Sequence, residues 1–436
     1  MNIAIIGAGA AGLAAAYDLA GLGHPVTVYE AAPHVGGLAA GFKEPHWDWT
    51  MEKFYHHWFQ SDRAVLGLID ELGARDRVLF PRPYTVIYYQ GQFYPFDHMF
   101  SNMPLFLLRH FPLTDVLRFG FAGMQLKFRS RWQALEQVTA DQWLLEHMGQ
   151  RVYESLWKPL LVGKFGDEQY RHVNMAWFWA RLHSRTTRLG TFVGGFQAFF
   201  ETLAAAVQLR GATILLSTAV REIAPQETGG FLLHTPQGAR AYEAVLSTTS
   251  PRLMTRLTPA LPPNYLAQLN ALQSMGAVVM ILSLTRQLSP QGYYWHNLPK
   301  EAGFPFLALC EHTNFVSPQH FGGDHLIYCG DYLAPEHDYF RLTDGELLDR
   351  FAPALARFNP HFERTWIKKM WLFRETYAQP IPPLNHSRNI PDLRTPLTGL
   401  YFASMSQVYP WDRGTNYAVE IGRRAARRMA SEFNQR

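Results

Sequence analysis

The feature that most constrains this 436-residue chain is a glycine turn set between two short apolar segments at its start. Asn2 to Ile6 has strand character, Gly7-Ala8-Gly9-Ala10-Ala11-Gly12 follows directly, and alanine-rich Leu13 to Leu22 reads as a helix ending at Gly23. In that order Gly7 permits the tight turn, Gly9 lets a pyrophosphate approach the backbone, and Gly12 lets helix and strand pack closely. Ala11 lies within the same turn and is expected at the cofactor. A second strand, Val26 to Tyr29, ends in Glu30, 18 residues after Gly12. A carboxylate there accepts hydrogen bonds from ribose hydroxyls and disfavours a 2′-phosphate.

These elements in register define an α/β dinucleotide-binding unit of the Rossmann type, with a ligand-free glycine turn as the bland alternative. The length exceeds one comfortable core, so two lobes sharing a cleft are expected. With 47% hydrophobic and 17% charged residues, no segment suits disorder. Two cysteines, Cys310 and Cys329, are too few for a disulfide framework and suggest a reducing, cytoplasmic setting. The start lacks the basic region of a signal peptide, and no segment suits a spanning helix. The net charge of +4 is matched by Arg423, Arg424, Arg427 and Arg428 alone, weak support for an anionic partner. No HExxH, CxxC or Walker loop is present, the 18 histidines lack metal-ligand spacing, and nothing suggests nucleic acid.

Ala31-Ala32-Pro33-His34-Val35-Gly36-Gly37-Leu38 sets a second glycine pair just after Glu30. This resembles glutathione-reductase-like FAD folds, and in particular the flavin amine oxidase superfamily, where such a pair lies near the cofactor's phosphates and ribityl chain. Gly194-Gly195-Phe196 and the stretch from Leu203 to Ile223 resemble an internal block of that superfamily, Val220 matching the valine whose backbone meets the adenine. Tyr242 to Thr249 is similar to the strand that returns to the FAD domain. Gly399 to Ala403 and the helix Gly414 to Met429 resemble the C-terminal block, whose helix points its N-terminus at the flavin, so Gly414, Thr415, Asn416 and Tyr417 are implied there. One departure stands out: Ser404-Met405 replaces the usual acid after the final strand. Ser404, or Asp412 beside Arg413, is the candidate for anchoring the ribityl chain.

The resemblance implies an FAD-binding Rossmann domain over residues 1 to 80, 190 to 255 and 390 to 436. An interleaved α+β substrate domain would take 81 to 189 as its helical part and 256 to 389 as its sheet part. In Trp47 to Phe59, near the flavin's reactive face by resemblance, His56 and His57 are candidate proton donors; on a strand they would point opposite ways, so at most one should face the flavin. A hydrogen-bonded, partly buried histidine is as good a reading. The same segment is faintly similar to UDP-galactopyranose mutases. In Lys368 to Pro382, Arg374 and Tyr377 are candidates for orienting an anionic substrate, with Lys368 or Lys369 as a flavin-facing lysine. Tyr409, Asp412 and Arg413 complete that cluster.

Met99 to Phe128 is rich in leucine and phenylalanine, with Arg109, Arg118, Lys127, Arg129 and Arg131 interleaved or adjacent. Buried packing is the expectation, because Pro104 and Pro112 cut the run into short pieces, and a peripheral membrane patch is the alternative. The leading functional expectation is an oxidoreductase similar to protoporphyrinogen oxidases and phytoene desaturases. A hydride would pass from an unidentified small-molecule substrate to FAD, with an unspecified electron acceptor. A reduced-flavin mutase of a sugar nucleotide and a nonenzymatic FAD-binding protein stay open.

Overall fold

The computed structural model describes residues 1–98, 102–128 and 131–433. Strands from four distant parts of the chain build a five-stranded parallel sheet, ordered Thr213–Leu215, Val26–Tyr29, Ile3–Ile6, Ala244–Ser247 and Leu400–Phe402. The run Ile3–Ile6 is apolar throughout because both of its faces are covered. Ile3 and Ile5 pack under the helices Ala10–Gly21, Phe196–Leu209 and Thr415–Phe433. Ala4 and Ile6 pack on the other side with Ile223, Phe231 and Leu233 of a three-stranded antiparallel sheet. The register sets Ile6 opposite Tyr29 and Ser247, and Ser247 opposite Phe402. Gly7, Glu30, Thr248 and Ser404 therefore leave the sheet at one edge. This mixed α/β architecture with a parallel nucleotide-binding core is the expected fold class.

A seven-stranded sheet forms the second lobe, ordered Ile367–Pro380, Ser274–Leu284, His325–Leu333, Ala308–Glu311, Tyr293–Asn297, Tyr84–Tyr89 and Gln92–Pro95. The last two strands come from residues 84 to 95, ahead of the helices of the part expected to be helical. They form a hairpin through Gln90 and Gly91, both at positive φ (47° and 85°), the backbone that a two-residue hairpin turn of this hand requires. Helices between Asn102 and Ser184 pack on this sheet in an aromatic core that includes Trp143, Trp157, Trp177 and Trp179.

The helices Asn102–His110 and Leu113–Phe128 overturn the expectation of buried packing. Phe106, Leu107, Phe111, Phe119, Ala122 and Leu126 are indeed buried. On the second helix, however, Leu113, Leu117, Phe121, Met124 and Phe128 are exposed, from 55% for Met124 to 83% for Phe128. At 3.6 residues per turn these five fall within about 80° of one another, opposite the buried side. Leu105 and Leu108 on the first helix are also exposed. Each helix is apolar on two sides, and periodicity alone does not tell which side meets the core. Met99 and Arg129 lie outside the described residues.

The C-terminal helix crosses the first helix at side-chain-free backbone. A Cβ added at Gly422 would stand 2.1 Å from the carbonyl oxygen of Ala11. Gly422→Ala is therefore expected to destabilise the protein by about 1–3 kcal/mol through overpacking. Thermal unfolding checks this, and an unchanged Tm would refute the contact.

Candidate functional site

The first turn of helix Ala10–Gly21 carries neither a side-chain cap nor an acidic residue, so no side chain of that turn competes for its N–H groups. The turn leading into it is packed backbone on backbone. A Cβ at Gly12 would lie 1.9 Å from the Gly7 carbonyl oxygen, and one at Gly37, where φ is +57°, would lie 3.2 Å from the Gly9 Cα. Gly36 N–H donates to Ala8 O at 3.0 Å and locks the two glycine loops together, with Leu38 in the short turn that follows. The carboxylate of Glu30 accepts Ala8 N–H at 2.8 Å and Ala32 N–H at 2.9 Å. Thr218 N–H donates to Glu30 O at 2.8 Å, which brings the loop of Val220 beside it. A diphosphate over bare glycine backbone, with a ribose at a carboxylate, fits this cradle: the residues present suit a dinucleotide.

At the same sheet edge the C-terminal helix begins at Thr415, just after Gly414. Thr415 Oγ1 accepts Trp58 Nε1–H at 2.7 Å. Asn416 Oδ1 accepts Ala64 N–H at 2.9 Å and Val65 N–H at 3.1 Å, capping helix Arg63–Glu71. Ser404 is buried, and its N–H donates to Gln407 Oε1 at 2.7 Å. Asp412 and Arg413 turn toward the second lobe instead. Asp412 pairs with Arg181 and accepts Trp177 Nε1–H at 3.2 Å. Arg413 donates to Gln379 Oε1 at 2.9 Å and to the Tyr332 hydroxyl. Both side chains are thus engaged by groups of the second lobe. Burial opposes ionisation of Asp412, but Arg181, Lys164 and Arg413 outweigh it and hold the carboxyl below its usual range.

His56 and His57 lie in an irregular loop between short strands, not on a strand, so the expected alternation does not apply and both are enclosed. His56 Nδ1–H donates to Phe54 O at 2.6 Å. Burial lowers His56 to about 4 and His57 to about 3, aided for His57 by Arg185 and for His56 by Arg413. Both imidazoles are therefore neutral at neutral pH, each with one N–H donor and one acceptor nitrogen.

Arg374 and Tyr377 share strand Ile367–Pro380 but do not converge. Arg374 donates to Tyr339 O at 2.9 Å and to Leu342 O, ahead of helix Asp344–Leu355, whereas the Tyr377 hydroxyl meets Ser406 Oγ at 2.8 Å. Lys368 pairs with Asp324 and Lys369 with Glu44. The lysine at the site is Lys164, which sequence reasoning missed: its Nζ donates to Gln379 Oε1 at 3.3 Å and sits 4.4 Å over the Tyr332 ring. Burial, then Arg181 and Arg413, push it well below its usual value. A lone lysine in the apolar run Leu160-Leu161-Val162-Gly163-Lys164-Phe165 was the available signal. Tyr409 is separate, its hydroxyl donating to Glu136 at 3.1 Å.

Residues 10–430 match the family model of flavin containing amine oxidoreductases, and the chain belongs to that family. Its dinucleotide is FAD. A 15-cis-phytoene desaturase of Synechococcus elongatus is 25% identical over 66% of this chain and 66% of its own, and a second sequence of that organism is 26% identical over 53% of each. The chain thus spans half to two thirds of the length of these relatives. Cyclohexylamine oxidase from Brevibacterium oxydans shares the fold at a TM-score of 0.73 and 18% identity, covering 99% of both chains. Reduced UDP-galactopyranose mutase shares it at 0.76 and 15%, covering 99% of this chain and 95% of that one.

Glu52, in the loop-bearing segment before the histidines, is 2% exposed, and its Oε1 accepts Phe196 N–H at 2.8 Å. Burial raises it from 4.5 to about 7. The folded state then holds a proton that the unfolded chain releases, so this residue's contribution to stability falls as pH rises from 4.5 to 7 and stays low above. Glu52→Gln keeps the acceptor and removes the titration. Its Tm relative to wild type is expected to climb across that window, by up to roughly 3 kcal/mol of stability. A pH-independent difference would refute the buried acid.

Proposed function

We propose that this protein is an FAD-dependent oxidoreductase that takes a hydride from an organic substrate held between the start of the C-terminal helix and the second lobe. The observation that carries this reading is the convergence, at one sheet edge, of the glycine cradle, Glu30 and the uncapped helix end, with Asp412 and Arg413 ahead of the C-terminal helix joined to Lys164, Gln379 and Tyr332 of the second lobe. When bound there, the flavin supplies the hydride acceptor. Gly7, Gly9, Gly12, Gly36 and Gly37 would hold its phosphates, Glu30 its ribose and the Val220 loop its adenine. The C-terminal helix directs the positive end of its dipole, with no acidic residue in the first turn, toward the edge where reduction adds negative charge. Lys164, with its ammonium disfavoured by burial, is suited to take up or relay a proton from the substrate. Anaerobic mixing with candidate amines, polyenes and nucleotide sugars tests the reading. Bleaching of the flavin with one oxidised product per flavin is expected. Turnover only of pre-reduced protein, with a substrate isomer as product, would overturn it in favour of a redox-neutral mutase.

We further propose that the helices 102–110 and 113–128 rest on a lipid surface. The stripe Leu113, Leu117, Phe121, Met124 and Phe128 is apolar and exposed where a helix of this kind ordinarily presents polar groups, and the exposed Arg109 and Arg131 flank it in sequence. No helix among the described residues is long and apolar enough to cross a membrane. Sedimentation with phosphatidylcholine vesicles containing phosphatidylglycerol is expected to capture the protein. Each of Leu117→Ser and Phe121→Ser should weaken capture by roughly tenfold, in line with ~1.5–3 kcal/mol per buried side chain. Vesicle-independent dimerisation lost in the same variants would instead assign the face to a second copy of the chain.

A further inference from the structure

The cluster between the C-terminal helix and the second lobe holds more positive charge than its partners neutralise. Arg181 pairs with Asp412, whose Oδ1 also accepts Trp177 Nε1–H and Gln379 Nε2–H at 3.2 and 3.3 Å. Lys164 and Arg413 both donate to the neutral Gln379 Oε1, at 3.3 and 2.9 Å, and both sit over the Tyr332 ring, at 4.4 and 4.9 Å. Three cations are thus gathered on one carboxylate and one amide. One turn beyond Arg181, Arg185 is exposed and makes no hydrogen bond or ion pair among the described residues. The ion pair is not sealed: the Arg181 side chain is 27% exposed and that of Asp412 19%.

Gathering like charges in a desolvated cleft is unfavourable unless a counter-charge completes it. Burial, Arg181 and Arg413 lower Lys164 well below its usual value, and Asp97 is the acid that offsets Arg181 at Arg185. The adjacent histidines, neutral at physiological pH, add no charge, and Asp412 is already committed to Arg181. The missing component is an oxyanion, which guanidinium forks bind with short, charge-assisted hydrogen bonds. The walls next to it are aromatic: Tyr332 under Lys164 and Arg413, and Tyr55 packed edge-on against Trp295 at 4.8 Å.

We infer that Lys164, Arg181, Arg185 and Arg413 form a subsite for the acidic group of the substrate, which is an organic anion bearing a carboxylate or phosphate on an apolar, ring-containing body. This rests on the oxidoreductase reading above for the position of the flavin, but the anion site itself is a property of the apoprotein.

The test titrates the flavin-loaded protein with benzoate, phenyl phosphate and benzylamine, following the flavin spectrum and the Tm. Benzoate or phenyl phosphate is expected to bind at least about tenfold more tightly than benzylamine, and which of the two is preferred separates carboxylate from phosphate recognition. Arg185→Gln should weaken that binding by about tenfold with flavin content unchanged, and Arg185→Lys should restore part of it. Lys164→Met should weaken it similarly. Benzylamine binding as tightly as the anions, or variants with unchanged affinity for them, would overturn the inference. If the protein takes up no flavin, the oxidoreductase reading fails instead, and the same titration followed by Tm alone decides the anion site independently.

Discussion

Backbone meets backbone without intervening side chains around the first turn of helix Ala10–Gly21, and much of the molecule is arranged by that contact. Gly12 lies over the Gly7 carbonyl, Gly37 against Gly9, and Gly422 against the Ala11 carbonyl. In each case a single methyl group would separate the segments. The close approach draws the N-terminal turn, the loop after Glu30 and the C-terminal helix to one point, although the last is separated from the first by some four hundred residues of sequence. Two long insertions must then leave and re-enter the sheet, and they fold into a lobe whose Lys164, Gln379 and Tyr332 face the start of that same helix through Asp412 and Arg413.

The two halves of the site differ in electrostatic character. The glycine cradle offers dipoles and one carboxylate, suited to a cofactor that brings its own charge. The side toward the second lobe is built from full charges, where Asp412 is kept ionised by its cationic neighbours while His56 and His57 are kept neutral by burial. Lys164 is the group there whose charge burial and its cationic neighbours most oppose. The exposed apolar face of residues 113–128 lies on a helix of the second lobe.

Local chemistry was legible in the sequence; convergence was not. Glycine spacing, the strand ending at Glu30 and the Gly36–Gly37 pair are short-range patterns whose geometry follows from the backbone itself, and the α/β class followed from them. Arg374 and Tyr377 looked like partners because they are three residues apart, yet their side chains bond to Tyr339 and Leu342 on one side and Ser406 on the other. Lys164 and Arg181 went unnoticed because they come from separate helices and meet Asp412 and Gln379 only in the folded chain. The hairpin at Gln90-Gly91 carried a readable turn, overshadowed by the helical run after it. Exposure of Leu117 and Phe121 was hinted at only by the basic residues interleaved with that run, since an apolar face reads the same whether it meets a core, a lipid surface or another chain.

The central claim is that the cradle around Gly12 holds FAD. Equilibrium titration of flavin-free protein with FAD, read by flavin fluorescence, tests it directly when wild type is compared with Gly12→Val. One FAD per wild-type chain, released intact on denaturation, with uptake abolished in a variant that still unfolds cooperatively, is the predicted result. Failure of wild type to bind FAD, or equal binding by both proteins, would contradict the account.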